Sequence, residues 1–277
     1  MKRILFPTDF SEAAANAFLY VLNYAHAFNA EVVVLHVYDL PVVDMPPLPE
    51  TSQEIFEAVE FNSFEKFKVE LEELHRIANE NNLGHISIKN VLNYGDLVYN
   101  INQLCREESI DVVMMGTKGA TGLKEVFLGS KASGVMQNAD VPVIAIPAAA
   151  KFSPVKSMLF TTQYHDKDND ALLKTIEISK RLNARVYCVY ITNADDPDDI
   201  EERIEEWKIY YRDENISFFK IQGNDVEQSL LDFSENQNIG LIVMRSHKRG
   251  FFESLFHTSL TKKMMYHSTI PLLVYKD

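Results

Sequence analysis

Val112-Val113-Met114-Met115-Gly116-Thr117-Lys118-Gly119 opens the stretch that decides how this chain folds, and the stretch continues through Gly122 and Gly129 to Ser130 and Lys131. The apolar run before Gly116 predicts the end of a buried strand, and the residues from Ser130 onward predict the start of a helix. Glycines let a backbone come close to an anion, and the first free N–H groups of a helix point at it. The stretch therefore predicts a strand, a phosphate-binding loop and a helix.

The chain repeats itself imperfectly. Residues 2–9 recur as residues 156–163, with Phe6 matched by Phe160, and Val141-Pro142-Val143-Ile144 is echoed by Ile270-Pro271-Leu272-Leu273. The first half is longer because it carries a proline-rich loop from Leu40 to Pro49 and a long helical pattern after it. A short linker with Pro147 and Pro154 near its ends joins the halves. We predict two domains, residues 1–148 and residues 154–277.

Strands and helical patterns alternate within each half. Apolar strand runs separated by amphipathic helices are typical of a parallel sheet covered on both faces. Each half is therefore predicted to be a doubly wound α/β domain with five parallel strands and helices on both faces. Such sheets bind ligands beyond the carboxyl ends of the strands, where the winding reverses. If the first and fourth strands are neighbours there, Pro7-Thr8-Asp9 and the Gly116 loop face one crevice.

Composition excludes several classes of function. The 277 residues carry a net charge of −13, and a nucleic-acid binder would need a basic surface. The chain shows no apolar stretch of membrane-spanning length, and the apolar run near its start is too short for a signal peptide. Two cysteines, Cys105 and Cys188, lie within apolar patterns and are expected to be buried thiols in a reducing cytoplasm.

The spacing Gly116-x2-Gly119-x9-Gly129-Ser130 resembles the nucleotide-binding signature of the universal stress protein family. Pro7-Thr8-Asp9-Phe10-Ser11 is similar to that family's opening motif, Leu35-His36-Val37 to its second strand and Asp140-Val141-Pro142-Val143 to its closing strand. The likeness covers essentially the whole chain as two tandem domains. It implies two Rossmann-like domains of the adenine nucleotide alpha hydrolase-like type.

The resemblance also implies a role for individual residues in binding ATP, with or without Mg²⁺. Asp9 would hold the ribose and the adenine side, with Pro7 and Thr8 beside it, and Val37 would line the adenine pocket. The ribose and phosphates would be wrapped by a larger set, namely Met115, Gly116, Gly119, Gly129 and Ser130, with Lys131 adding its backbone N–H or its charge. For Ser130, a plain helix N-cap is the alternative to a phosphate contact.

The second half departs from this pattern. Gln163 stands where the first half has Asp9, and within an uncertainty of one residue no glycine stands opposite Gly116, Gly119 or Gly129. Side chains there are expected to fill the space of the phosphates. His247, His257 and His267 recur every ten residues, an interval that matches no common zinc-ligand spacing.

No motif for catalysis is present. The glycine stretch lacks the Lys-Ser or Lys-Thr ending of a Walker A loop, and no nucleophile elbow or Ser–His–Asp pattern is found. We expect a cytoplasmic stress-response or regulatory protein that binds ATP in its first half and acts through conformation or an unidentified protein partner. A slow ATPase and an interaction scaffold that binds no nucleotide remain alternatives.

The resemblance bears on assembly as well. Dimers of the family associate through the last strand, so the apolar strands at 143–146 and 272–275 are expected to bring the two halves together as an intramolecular pseudo-dimer. A homodimer is left open.

Overall fold

A computed structural model describes residues 1–39, 49–117, 130–192, 199–223, 225–246 and 269–276. Within these residues the chain divides into two compact units, and the division falls between Val141 and Pro142. Each unit has its own buried apolar core.

The first unit alternates strands and helices as predicted. Its elements are β1 (Arg3–Pro7), α1 (Glu12–Phe28), β2 (Glu31–Tyr38), α2 (Pro49–Glu80), β3 (Ile88–Tyr94), α3 (Leu97–Glu107), β4 (Val112–Gly116) and α4 (Ser130–Asn138). The strands pair in the order β3-β2-β1-β4, and every pairing is parallel. α1 packs on α2, and α3 packs on α4. Because crossovers between parallel strands are right-handed, this strand order implies that the two helix pairs cover opposite faces of the sheet.

Local chemistry explains where these elements begin and end. The Ser11 hydroxyl caps α1 by accepting a hydrogen bond from the backbone N–H of Ala14 at 3.2 Å. α1 ends at Asn29, which takes the left-handed conformation that terminates many helices. Asp96 caps α3 by accepting from the N–H of Tyr99 at 2.8 Å. The central strand β1 is buried from Ile4 onward, as a strand covered on both faces must be.

The second unit contains the remaining strands. Its elements are β5 (Val143–Ile146), β6 (Ser157–Thr161), α5 (Asp166–Leu182), β7 (Arg185–Thr192), α6 (Ile200–Tyr210), β8 (Ile216–Gln222), α7 (Val226–Asn236), β9 (Leu241–Ser246) and β10 (Leu272–Lys276). The strands pair in the order β5-β10-β9-β6-β7-β8. β5 runs antiparallel to β10, and the other pairings are parallel.

The α/β class and the parallel winding of both halves are confirmed. One feature goes beyond the repeat pattern, because β5 closes the first half in sequence but belongs to the second compact unit. There it pairs with β10, with Ile144 opposite Leu273. The two last strands therefore pair with each other, as the resemblance implied. The loop at 40–48 lies outside the described residues.

Candidate functional site

The candidate site lies where the winding of the first unit's sheet reverses. β1 is flanked by β2 and β4, with Pro7 opposite Leu35 and Leu5 opposite Val113. The first and fourth strands are therefore neighbours, which is the condition under which the Pro7–Asp9 segment and the Gly116 loop were expected to face one crevice. Because all these strands are parallel, the residues that follow them share one edge of the sheet, which is where doubly wound sheets hold ligands.

A tight polar turn leads from β1 into α1 at this edge. The Thr8 N–H donates to the carbonyl of Leu35 at 2.9 Å, and the Thr8 hydroxyl accepts from the N–H of Phe10 at 3.0 Å. The Asp9 carboxylate accepts from the N–H of Ser11 at 3.1 Å. Phe10 has a φ of 59°, which few residues other than glycine adopt. The turn buries Thr8 and leaves the Asp9 carboxylate exposed at the edge.

The same turn recurs in the second unit. The Thr162 N–H donates to the carbonyl of Val189 at 3.1 Å, its hydroxyl accepts from the N–H of Tyr164 at 2.8 Å, and Tyr164 has a φ of 57°. Because both halves keep this geometry, the turn belongs to the fold. What distinguishes the first half is the carboxylate of Asp9, where the second half has Gln163.

Gly116 ends β4 against the first turn of α1. A Cβ at this position would lie 3.1 Å from the carbonyl oxygen of Ala13 and 3.6 Å from the nitrogen of Ala14. Close packing of two backbones therefore accounts for a glycine here, independently of any ligand. The same packing brings the end of β4 next to the start of α1, directly after the Thr8–Asp9 turn.

His36 is a residue of this edge to which the sequence assigned no role. Its Nδ1 lies 2.8 Å from the carbonyl oxygen of Thr8, and because a carbonyl only accepts, Nδ1 carries the proton. The ring lies 5.0 Å from that of Phe10 and stacks at 6.2 Å on that of Phe67 from α2. The long inserted helix thus contacts the turn through a ring cluster. A polar residue inside the apolar strand β2 was the signal available in sequence.

The other predicted site residues differ in their exposure. Pro7 and Met115 are buried, so only their backbone atoms are offered to a ligand at this edge. Val37 is half-buried at the end of β2, and Ser130 and Lys131 are exposed at the start of α4. Gly119 and Gly129 lie outside the described residues.

An ion pair spans the edge. The Lys131 Nζ lies 3.8 Å from a carboxylate oxygen of Asp39, which directly follows β2, and both side chains are exposed. Water screens such a pair, so its contribution to stability is small. It shows that the start of α4 and the end of β2 approach each other here. Asp39 was missed in sequence because nothing but its place after a strand marks it.

The second unit fills the corresponding crevice with a buried ion pair. Ile4 pairs with Val112 in the first unit, and Met158 pairs with Leu241 in the second. Counting from these matched pairs puts Arg245 where the first half has Gly116. The register that the sequence left uncertain is thereby set.

Arg245 meets an acid that is also absent from the first half. Its Nε donates to Asp168 at 2.7 Å, and the two side chains are 7% and 2% exposed. The other carboxylate oxygen of Asp168 accepts from the Thr162 hydroxyl and from the N–H groups of Gln163 and His165, at 3.0–3.2 Å. The prediction that a side chain stands opposite Gly116 is confirmed, and its charge is neutralised from within the unit.

The two cysteines are free, buried thiols, as predicted. Burial, with a smaller contribution from the charge of Asp140, raises the pKa of Cys105 to about 11. Burial also raises the pKa of Cys188 well above its ordinary value. Both thiols are therefore protonated at neutral pH, and a protonated thiol is a poor nucleophile.

A cavity of about 790 Å³ lies at the opposite edge of the first unit's sheet and shares no residue with the candidate site. Lys2, Glu31 and Asp111 are among its lining residues. On its wall the Nδ1 of His26 lies 3.2 Å from the Nε2 of His85, so one ring donates to the other. Among the described residues, no group of three or more histidine, cysteine or acidic side chains could hold a metal ion.

No helix among the described residues combines the length and the apolar character needed to cross a bilayer.

Comparison with known proteins places the chain in a family. The model of the "Universal stress protein family" matches residues 1–147 and again residues 155–276. Universal stress protein MJ0531 of Methanocaldococcus jannaschii is 29% identical over 54% of this chain and 84% of its own length. Universal stress protein MJ0577 of the same organism is 29% identical over 52% of this chain and 94% of its own length.

A solved universal stress protein from Archaeoglobus fulgidus is similar over the whole chain. Its structure covers 99% of this chain and 98% of its own, with a TM-score of 0.74 and 21% identity, which supports the fold. The family model matches both halves, so the repeat, the parallel winding and the paired last strands have one explanation: the chain belongs to the universal stress protein family, as a tandem of two of its domains.

Proposed function

We propose that the first half binds an adenine nucleotide, ATP with or without Mg²⁺, and that the protein acts in the stress response through a change of conformation or a bound protein partner. The observation that carries the proposal is the meeting of the Thr8–Asp9 turn with Gly116 at the edge where the winding reverses. An exposed carboxylate in the turn after β1 and a close-packed glycine at the end of the adjacent parallel strand β4 stand there.

Each side chain has a role that its chemistry supports. The Asp9 carboxylate accepts hydrogen bonds from the ribose hydroxyls, and Val37 packs on the adenine. The backbone at Met115, Gly116, Gly119 and Gly129 wraps the ribose and phosphates. Ser130 and Lys131 start α4, where N–H groups and the positive end of the helix dipole favour phosphate.

The second half binds no nucleotide under this proposal. Arg245 and Asp168 occupy the crevice and neutralise each other, so entry of a phosphate would have to break a buried ion pair. Gln163 also lacks the negative charge that would strengthen a bond to ribose. Free, buried thiols in both halves support a reducing compartment such as the cytoplasm.

Calorimetric titration of the whole protein tests the proposal, with ATP, AMP and adenosine as ligands. We expect about one site per chain with an affinity near the micromolar range, or about −7 to −8 kcal/mol. Asp9→Ala is expected to weaken all three ligands by about 1–3 kcal/mol, because the lost contact is on the ribose side. Gln163→Ala, at the matching position of the second half, is the control and is expected to change nothing.

Several results would contradict the proposal. Two equivalent sites per chain would mean that the second crevice opens. A loss confined to ATP in Asp9→Ala would assign that carboxylate to a metal ion at the phosphates. Failure of every nucleotide to bind would favour the interaction scaffold. Measuring ADP release in the same samples separates stable binding from slow hydrolysis.

A further inference from the structure

Helix α2 carries two separate apolar faces. The first is buried against the first unit and contains Phe67, Leu74 and Ala78, at 5%, 4% and 1% exposure. The second contains Phe61 and Phe64, which are 65% and 46% exposed. Rings are costly to leave in water, and a helix that only covered its own domain would need a single apolar face.

The exposed rings are bracketed by opposite charges. Glu57, Phe61, Phe64 and Lys68 follow one another at intervals of four, three and four residues, which places them on one stripe of the helix. The Lys68 Nζ lies 4.5 Å over the Phe64 ring and 2.9 Å from Glu65, so the lysine borders the aromatic pair. Intervals of four and three are also the spacing of contact positions in paired helices.

We propose that this stripe, Glu57-Phe61-Phe64-Lys68, pairs with the same stripe of a second copy of the chain. A two-fold axis passing between Asn62 and Ser63 runs the two helices antiparallel. Phe61 then faces the second copy's Phe64, and Glu57 faces the second copy's Lys68. The stripe is complementary to itself, which is the condition for a contact between identical surfaces.

The charges of the stripe favour a second copy of the chain as the partner and an antiparallel arrangement of the two helices. An acid at one end and a base at the other make two ion pairs when the helices are antiparallel, whereas a parallel pairing would oppose like charges. Four rings at the centre form a small contact, below the standard size of about 1,200–2,000 Å². The association is therefore reversible and depends on concentration.

Sedimentation equilibrium of the full chain tests the proposal at concentrations from about 1 μM to about 1 mM, the range in which small interfaces associate. We expect a monomer–dimer equilibrium. Glu57→Lys and Lys68→Glu are each expected to weaken dimerisation by about tenfold or more, because like charges then face each other twice. The double variant Glu57→Lys/Lys68→Glu restores both pairs with their signs exchanged and is expected to return to within about threefold of the original constant.

The signs of these effects separate a specific contact from general repulsion. Glu57→Lys makes the acidic chain less negative, so repulsion alone would predict tighter association, whereas the proposed contact predicts weaker association. Lys66→Glu, exposed on the other side of α2, changes the charge as Lys68→Glu does and is expected to have little effect. A monomer at every concentration, tighter association of Glu57→Lys, or a double variant no better than either single one would overturn the proposal.

Discussion

At the scale of single residues, the two halves differ most at one matched pair of positions. The first half has Ala14 and Gly116, and the second has Asp168 and Arg245. Gly116 packs its backbone directly against the first turn of α1, whereas the two charged residues of the second half fill the space beside the strand end and bond to each other. Asp168 and Arg245 each depend on the other for stability, because burying either charge without its partner is costly.

Replacing Arg245 by Met tests whether the buried charge of Asp168 needs its partner. We expect a loss of about 3–5 kcal/mol in the free energy of unfolding, because Asp168 is left as an uncompensated buried charge. Urea unfolding can be followed by the fluorescence of Trp207, the single tryptophan of the chain, which lies in the second unit. The double variant Asp168→Ala/Arg245→Met removes both charges and is expected to recover part of the loss. Equal stability of Arg245→Met and the original chain would contradict the assigned role.

At the scale of elements, close packing decides which glycines are needed. Gly116, at the end of β4, packs against the first turn of α1, where a Cβ would lie 3.1 Å from the carbonyl oxygen of Ala13. Gly134 lies in the middle of α4, where a Cβ would meet just Val98 Cγ2, at 3.8 Å. The two glycines are close in sequence, yet the first is required by a neighbouring backbone and the second is not.

Alanine at these two positions is expected to have opposite effects. Gly116→Ala should destabilise the protein by about 1–3 kcal/mol, because the Cβ forces β4 away from α1. Gly134→Ala should stabilise it by about 0.5–1 kcal/mol, because alanine lowers the entropy of the unfolded chain and favours helix. Thermal unfolding followed by circular dichroism measures both. Two effects of the same sign would show that the packing at Gly116 can relax.

The inserted helix α2 shows how an element reaches the candidate site. Phe67 on α2 stacks on His36, and His36 donates to the carbonyl of Thr8 in the turn that presents Asp9. A movement of α2 would therefore change the position of His36 and, through its hydrogen bond, that of the Thr8–Asp9 turn. The loop at 40–48 lies outside the described residues, so the contact that supports such a coupling is this ring cluster.

At the scale of the whole molecule, the last strand of the first repeat in sequence, β5, pairs with the last strand of the second, β10. Ile144 and Leu273 lie opposite each other, and each is 1% exposed. An apolar strand edge left open is a site of aggregation, and here each strand covers the other.

Cutting the chain tests this pairing. Fragments 1–150 and 151–277, expressed together, are expected to purify as a one-to-one complex because β5 and β10 still pair. Ile144→Lys should abolish the complex, since it would bury a charge between the strands. Glu107→Lys, exposed on α3, is the matched control. Recovery of two well-behaved monomeric fragments would rule out strand pairing as the link.

Much of the fold follows from local pattern. Apolar runs, helical periodicity and the duplicated motifs sufficed to predict the alternating elements, the tandem halves and the fold class, because each of these signals is confined to a short stretch of chain. The edge of the sheet that holds Thr8, Asp9 and Gly116 was also predictable, since in parallel sheets the carboxyl ends of strands meet at one edge. The absence of glycine opposite Gly116 likewise needed only the repeat.

What sequence could not decide rests on contacts between distant residues. Arg245 and Asp168 are separated by 77 positions, and no local pattern joins them. The stacking of Phe67 on His36 and the placement of β5 with the second unit depend in the same way on which surfaces meet after folding. Sequence thus determined the elements and their order, because propensity and burial pattern act locally. Tertiary structure alone decided that Arg245 meets Asp168 and that both charges are buried in the second half, because packing and charge pairing act only between segments that the fold has brought together.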